Sequence, residues 1–355
     1  MAKKKKLARG VAVVGGGLTK LGLFPDRNSK DFFIEAYTEM MGSVDKGVDP
    51  KEIEAIYVGN FTNDFFVNQA HWAPIIADLV GHVPKPVTRT EGACASSALA
   101  FREGVLAIAS GLYDIVLVGG FEQMSKRTTE EVAEGLAMAA SPYEVGAGFT
   151  FPGVFGTMAT AYFEKYHTNR ETLFNVTIKS HNNAPLNPKS QFPMTIRDFM
   201  NMRIDKAKKK GEPVPNWTDE KAFLRDTKVN PPIAWPMHLF DCCPISDGAA
   251  CLLLVSEDLA KKFTDDPIYV AGTGQGSGYS LHAKSDLTTF EATRFAAQEA
   301  YAMSGFTPRD IQFAEVHDCF SIAEVVHTED LGFFKPGEGH NAIADGATRL
   351  DGPIP

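Results

Sequence analysis

Residues 85–125 read KPVTRTEGACASSALAFREGVLAIASGLYDIVLVGGFEQMS. KPVTRT reads as a strand, ASSALAFREGVLAIASG as an apolar helix and DIVLVGG as a second, buried strand, the succession expected where helices cover both faces of a sheet. The same alternation extends upstream. VAVVGGG at 11–17 reads as a buried strand running into a glycine turn, the segment from Asp31 to Val48 has helical spacing before Pro50, and AIYVGNF is the next strand. Downstream, from Phe121 to about Asp241, glycine, proline and polar residues dominate, and the periodic segments are short helices such as TMATAYFEKY and RETLFNVTIKSHNNA. This reads as an inserted loop domain, in which the charged run MRIDKAKKKGEPVPNWTDEKAFLRD is a solvated excursion. DGAACLLLVSEDLAKKF then returns to strand and helix.

An internal repeat orders the whole chain. At one constant offset, Gly47, Pro50, Lys51, Glu52, Ile53, Glu54 and Val58 match Gly305, Pro308, Arg309, Asp310, Ile311, Gln312 and Val316 in identity or chemistry. Each copy opens on a glycine-ended strand, VAVVGGG in the first and IYVAGTGQG in the second, followed by a helix of similar length. Two copies of one α/β unit predict a duplicated fold.

Composition narrows the function. The 355 residues are 44% hydrophobic, 22% charged and 10% aromatic, ordinary globular usage that excludes collagen-like, coiled-coil and disordered chains. A net charge of -9 argues against a nucleic-acid partner bound over the whole surface. The basic stretch MAKKKKLARG, residues 1–10, lacks the apolar core and cleavage site of a signal peptide, so a solvated tail and a cytoplasmic protein are expected. Val145 to Phe163 is uncharged for long enough to test as a membrane span, but its glycines, Pro152 and threonines argue against one. The five cysteines form no CxxC pair and share no ligand spacing with histidine, which disfavours a disulfide framework and a metal site. The glycine runs GGGLTK and GTGQGSG miss the GxGxxG spacing of a dinucleotide site and are expected to be tight turns.

Two places carry chemistry. Cys94 lies at the junction of a strand and an apolar helix, where unpaired amides and the positive end of the helix dipole would hold a thiolate. In EVHDCFS, His317 and Cys319 stand at i and i+2 after a strand of the second repeat, spaced to act at one site as oxyanion donor and proton shuttle. Cys242, Cys243 and Cys251 read as packing thiols.

EGACASSALAFREGVLAIASGLYDIVLVGGFEQMS resembles the active-site cysteine segment of thiolases, SDGAACLLLVSE the family's later strand, and EVHDCFSIAE the HDCF loop of sterol-carrier-protein type thiolases. HNNAPLNP fits the same subgroup. The resemblance implies a duplicated thiolase fold, a five-layer α/β/α/β/α body with an inserted loop domain. Its halves would be 11–120 with 246–266 and 267–355, with the loop domain at 121–245. It implies that Cys94 accepts the acyl group, that its backbone amide helps hold an oxyanion, that His317 donates to the thioester oxygen and that Cys319 is the acid/base. The implied reaction is thiolytic cleavage of a 3-oxoacyl-CoA, or the reverse Claisen condensation, with coenzyme A as cosubstrate and no bound cofactor. A dimer is expected, with a small zinc-ribbon and OB-fold subunit as a further partner that would carry zinc outside this chain. Phenylalanine clusters at FTNDFFVNQAHW and GFTFPGVFG, and a pattern that resembles thiolases of anaerobic aromatic degradation such as those acting on benzoylsuccinyl-CoA, point to an aromatic acyl chain. The family's GHPxGATG loop, whose histidine activates the nucleophile, and its CxG loop do not occur in these residues. That motivates a second reading, a non-catalytic thiolase-fold scaffold or regulatory subunit. His340, in GEGHNA, does not match that histidine's context.

Overall fold

The computed structural model describes residues 5–355; the first four residues of the basic tail lie outside the described residues. The chain divides into two compact units. The first comprises Met1–Ala139, Ile245–Thr273 and Ala302–Ser304, and the second Ala140–Pro244, Gly274–Tyr301 and Gly305–Pro355.

The first unit is built on one sheet of six strands: β1 (Val11–Leu18), β2 (Ala55–Gly59), β3 (Val87–Thr90), β4 (Ile115–Glu122), β5 (Gly248–Ser256) and β6 (Ile268–Tyr269). Their order across the sheet is β3-β2-β4-β5-β1-β6. β2 runs parallel to β3 and β4, whereas β5 is antiparallel to both β4 and β1. Alternation along β4 assigns its two faces. Ile115, Leu117 and Phe121 join the core under α1 (Ser29–Gly42) and α2 (Trp72–Leu79), with Phe32, Phe33 and Met40 fully buried. Val116 and Val118 join Val105 and Ile108 of α3 (Ser96–Ala109) on the opposite face. Each such fully buried side chain contributes about 1.5–3 kcal/mol of transfer free energy. Asn28 caps α1 with a reciprocal capping box to Asp31.

The glycine run of the first strand is not a turn. β1 continues through Gly15, Gly16 and Gly17 to Leu18, with an irregularity in register between Val13 and Gly15. The reason is close approach: a Cβ on Gly17 would lie 2.1 Å from the Ala36 carbonyl of α1. Asp247, fully buried, fastens the loops around this sheet, accepting from the backbone N–H groups of Phe24, Met124 and Ser125 and from the Ser125 hydroxyl.

The second unit is mainly helical: α4 (Phe151–Tyr166), α5 (Glu171–Asn183), α6 (Ile196–Lys210), α7 (Glu291–Ser304, whose last three residues group with the first unit) and α8 (Ser321–Asp330), with a short antiparallel pair, Pro232–Ala234 and Met237–His238. Its core joins Tyr162, Leu173, Val176, Phe320, Val325 and Val326. The charged run near 203–229 is more than a solvated excursion. Ile196, Met200, Phe223 and Leu224 bury themselves with Phe174, and Trp217 packs on Phe223 while donating to Asp226. The lysines at the end of α6 lie on its solvated side, where cations also suit the C-terminal dipole.

The repeat predicted from sequence has structural counterparts within each unit. α1 and α7 are both 14 residues, and each is followed by a single 3-10 turn, Pro50–Glu52 and Pro308–Asp310. A Cβ on Gly274 would lie 1.9 Å from the Ala296 carbonyl of α7, repeating the contact of Gly17 with α1. The strands differ. IYVAGTGQG pairs only at Ile268–Tyr269, and residues 270–280 and 311–318 form no regular strand among the described residues. A strand needs a ladder, and the backbone bonds of Val270 to the Val11 carbonyl and of Ala314 to the Pro355 carbonyl do not extend into one.

Candidate active site

Cys94 sits in a single 3-10 turn, Ala93–Ala95, between the end of β3 and the start of α3. The turn is locked from both sides. The Ser96 hydroxyl donates to the Ala93 carbonyl at 2.7 Å and accepts from the Gly92 N–H at 3.1 Å. Thr90 Oγ1 donates to the Ser96 carbonyl, and Glu91 Oε1 accepts from the Ala93 N–H at 2.6 Å. These bonds hold Ala93 at φ +50°, a left-handed conformation that a residue with a Cβ adopts only under such constraint. The strained residue lies immediately before Cys94, which is exposed.

Two glycines set the depth of this turn. Gly59 of β2 and Gly120 of β4 are register partners, and α3 begins directly over them. A Cβ on Gly59 would lie 2.4 Å from the Ser97 N, and one on Gly120 would lie 1.9 Å from Ser97 Oγ. The sequence reading passed over both. Their signal was a glycine at the same end of two predicted neighbouring strands, YVGN and VGGFE.

The Cys94 thiol is not lowered as its place ahead of a helix suggested. Desolvation raises it, its own backbone amide pulls it down less, and the Glu122 carboxylate raises it further. Glu122 ends β4. Its Oε2 accepts from the Phe61 N–H at 2.8 Å, its Oε1 from Asn60 Nδ2 at 3.3 Å, and burial pushes it up to about 7. Asn60 is buried and also donates to the Phe121 carbonyl.

His317 and Cys319 lie together in one loop of the second unit, ahead of α8. The loop is pinned by main chain: Cys243 N–H donates to the Cys319 carbonyl at 2.9 Å, and Cys242 bridges Phe320. Side chains complete the hold. Phe320 stacks on Phe155 of α4 at 4.6 Å between centroids, the Ser321 and Thr177 hydroxyls pair at 3.1 Å, and Ser180 donates to Asp318. His317 is exposed, yet desolvation holds it below the usual histidine range, with Asp318 opposing. A neutral imidazole keeps one N–H to donate. His327 of α8 stacks on Phe290, pairs with Thr293, and is pulled down to about 4 by desolvation and then by His317.

The other cysteines divide. Cys251 is buried and Cys242 is pushed up to about 12 by desolvation, both packing thiols as read. Cys243 is exposed, and its contribution is the backbone bond to Cys319. His181 of HNNAPLNP is lowered by desolvation and bonded to the Met194 carbonyl, a structural role. His340 pairs with the buried Tyr162 hydroxyl. Among the described residues no cluster could hold a metal ion, and no helix is long and apolar enough to cross a membrane.

One unit carries an exposed cysteine on a turn over a glycine-lined sheet, and the other carries a His-x-Cys loop. Comparison with known proteins gives the class. Residues 11–258 match the model of the thiolase N-terminal domain and residues 274–355 that of the thiolase C-terminal domain-like family. The chain belongs to the thiolase family. It is 40% identical to an acetyl-CoA acetyltransferase of Methanothermobacter thermautotrophicus over 98% of this chain and 83% of that one. It is 29% identical to the benzoylsuccinyl-CoA thiolase subunit BbsB of Thauera aromatica over 96% and 80% of the two chains. The solved structure of an Ltp2-ChsH2(DUF35) aldolase shares the fold at a TM-score of 0.76 and 24% identity, covering 98% of this chain and 83% of that one.

Proposed function

We propose that this chain is a CoA-dependent, cytoplasmic thiolase acting on a 3-oxoacyl-CoA through an acyl group carried on Cys94. The observation that carries the reading is the exposed Cys94 sulfur, held on a strained and fully bonded turn over Gly59 and Gly120. In thiolysis the Cys94 thiolate attacks the keto carbon and the carbon–carbon bond breaks. The departing acyl-CoA leaves as its enolate, whose oxygen receives a hydrogen bond from His317 and whose carbon takes a proton from Cys319. The CoA thiol then displaces Cys94 from the acyl group and restores the thiol. Run backwards, the steps are a Claisen condensation.

An apolar acyl chain is favoured by a cavity of about 200 Å³ in the second unit, walled by Phe151, Val154, Phe155, Met158, Leu281 and Phe290, whose charged lining residues Lys284 and Glu291 are paired with one another. Phe155 is the ring stacked on Phe320, next to Cys319. This supports an aromatic or medium-length acyl group, consistent with the relative that acts as a subunit of benzoylsuccinyl-CoA thiolase. That relative, named as a subunit, and the DUF35 protein named with the aldolase support a partner subunit for this chain; the proposal adds a homodimer of the chain itself.

Intact mass after incubation with acetoacetyl-CoA, and in parallel with benzoylsuccinyl-CoA, tests the reading. The chain gains one acyl group, and Cys94→Ala gains none. A scaffold gains no acyl group from either compound. Cleavage of an acyl-CoA without an acylated Cys94 would assign the chain to aldol chemistry instead.

A further inference from the structure

Glu122 has no part in the steps above, yet it ends the strand whose Gly120 receives the start of the helix that follows Cys94. Val116 and Val118 of β4 face α3, and Gly120 receives Ser97, the second residue of that helix. By strand alternation Glu122 comes next on the same face, beyond the residue that meets the start of α3, and its charge reaches the Cys94 thiol just ahead of that helix. Two neighbours clamp its carboxylate, the Phe61 N–H and Asn60 Nδ2. Asn60 is 1% exposed, and its Oδ1 is buried with no donor facing it. Arg89 is the cation on this side. Its guanidinium is already committed to Asp64 at 2.5 Å and to the Asn60 and Phe61 carbonyls. Glu91, the other acid at the turn, is bonded to the Ala93 N–H.

We propose that Glu122 is a positioning residue that governs the ionisation of Cys94: its clamped carboxylate holds the nucleophile as the thiol, and once Glu122 has taken a proton from solvent the Cys94 thiol gives up its own proton to solvent more readily. This rests on the reading of Cys94 as the acyl acceptor. Two anions sharing one partly desolvated site disfavour one another, so the pair titrates in two linked steps. Burial brings the Glu122 step close to neutrality. The resting enzyme then keeps a sulfur protected from alkylation and oxidation, and a ligand that favours protonated Glu122 would activate it.

The test is the pH dependence of iodoacetamide alkylation of Cys94 in the full chain, followed by peptide mass spectrometry so that the other four cysteines do not interfere. The unaltered chain should show two inflections, one near neutrality. In Glu122→Gln the neutral-pH inflection should vanish. The apparent thiol pKa should fall by roughly half a unit or more, a rise of about three-fold in alkylation rate at neutral pH. Glu122→Asp should retain two inflections. A single inflection in the unaltered chain, or a folded Glu122→Gln whose profile superimposes on it, overturns the proposal. No acyl-CoA is present, so the outcomes separate. A chain that shows the shift but never takes an acyl group overturns the thiolase reading alone, and one acylated at Cys94 with an unmoved profile overturns this inference alone.

Discussion

The Cys94 turn and the His317–Cys319 loop are held by different physics. The turn rests on a six-stranded sheet in which two glycines let a helix start settle into contact, Gly59 against the main chain of Ser96 and Ser97 and Gly120 against the Ser97 side chain and the Gly59 carbonyl. The loop has no ladder beneath it. Phe320 against Phe155, hydroxyl pairs and a backbone bond from Cys243 hold it. In the proposed roles, a nucleophile needs one fixed attack geometry, whereas a donor and acid serve successive intermediates, and the two constructions are consistent with that division.

The largest expected effect breaks the first region outright. Cys94→Ala should lower thiolase turnover by ~10³-fold or more, with no acyl-enzyme by mass, since removal of a covalent nucleophile removes the pathway itself. A variant that retains turnover moves the chemistry elsewhere. In the second region, His317→Ala should cost about 10²–10³ in kcat, the usual loss for one oxyanion donor, while leaving Cys94 open to alkylation. If alkylation of Cys94 also stops, His317 acts on the fold and not on the oxyanion.

Stability sharpens the contrast next. Gly120→Ala places a methyl 1.9 Å from Ser97 Oγ and 2.9 Å from the Gly59 carbonyl. It should destabilise the protein by about 1–3 kcal/mol in chemical denaturation and disturb presentation of Cys94. Gly17→Ala and Gly274→Ala probe the repeat in the same way, and similar losses in both would support equivalent strand–helix contacts. A neutral result at Gly274 would separate the two copies.

The smallest effects distinguish the regions by sign. Glu122 titrates at about 7 in the fold against an ordinary 4.5. The folded protein therefore holds a proton that the unfolded chain releases between those values, and this stabilising contribution is full below about 4.5 and lost as pH rises through about 7. His327 behaves oppositely: at about 4 against an ordinary 6.5, it contributes fully above 6.5 and loses that contribution as pH falls through about 4. Thermal midpoints across this range should show Glu122→Gln gaining relative to the unaltered chain as pH rises, and His327→Gln gaining as pH falls. Slopes of the reverse sign would contradict both assignments.

Much of this was legible in the chain. The strand–helix–strand run around Cys94 was readable because buried strands and apolar helices carry their periodicity locally, and the repeat announced itself through Pro50 and Pro308. Other features depended on what lies across the sheet. Gly15 to Gly17 looked like a turn because glycine favours turns, but the fold uses them as a smooth strand surface for Ala36 and Met40. Glu122 was hidden as one acid after an apolar strand, and its importance comes from Asn60 and Phe61, about sixty residues upstream.

By itself the sequence determined the alternation of elements, the duplication and the two motifs proposed to carry the chemistry, since each depends on the order of residues over short spans. Tertiary structure alone decided the state of the groups those motifs carry. Whether Cys94 rests as thiol or thiolate depends on desolvation and on the charge of Glu122, and both act through space, where separation along the chain sets no limit.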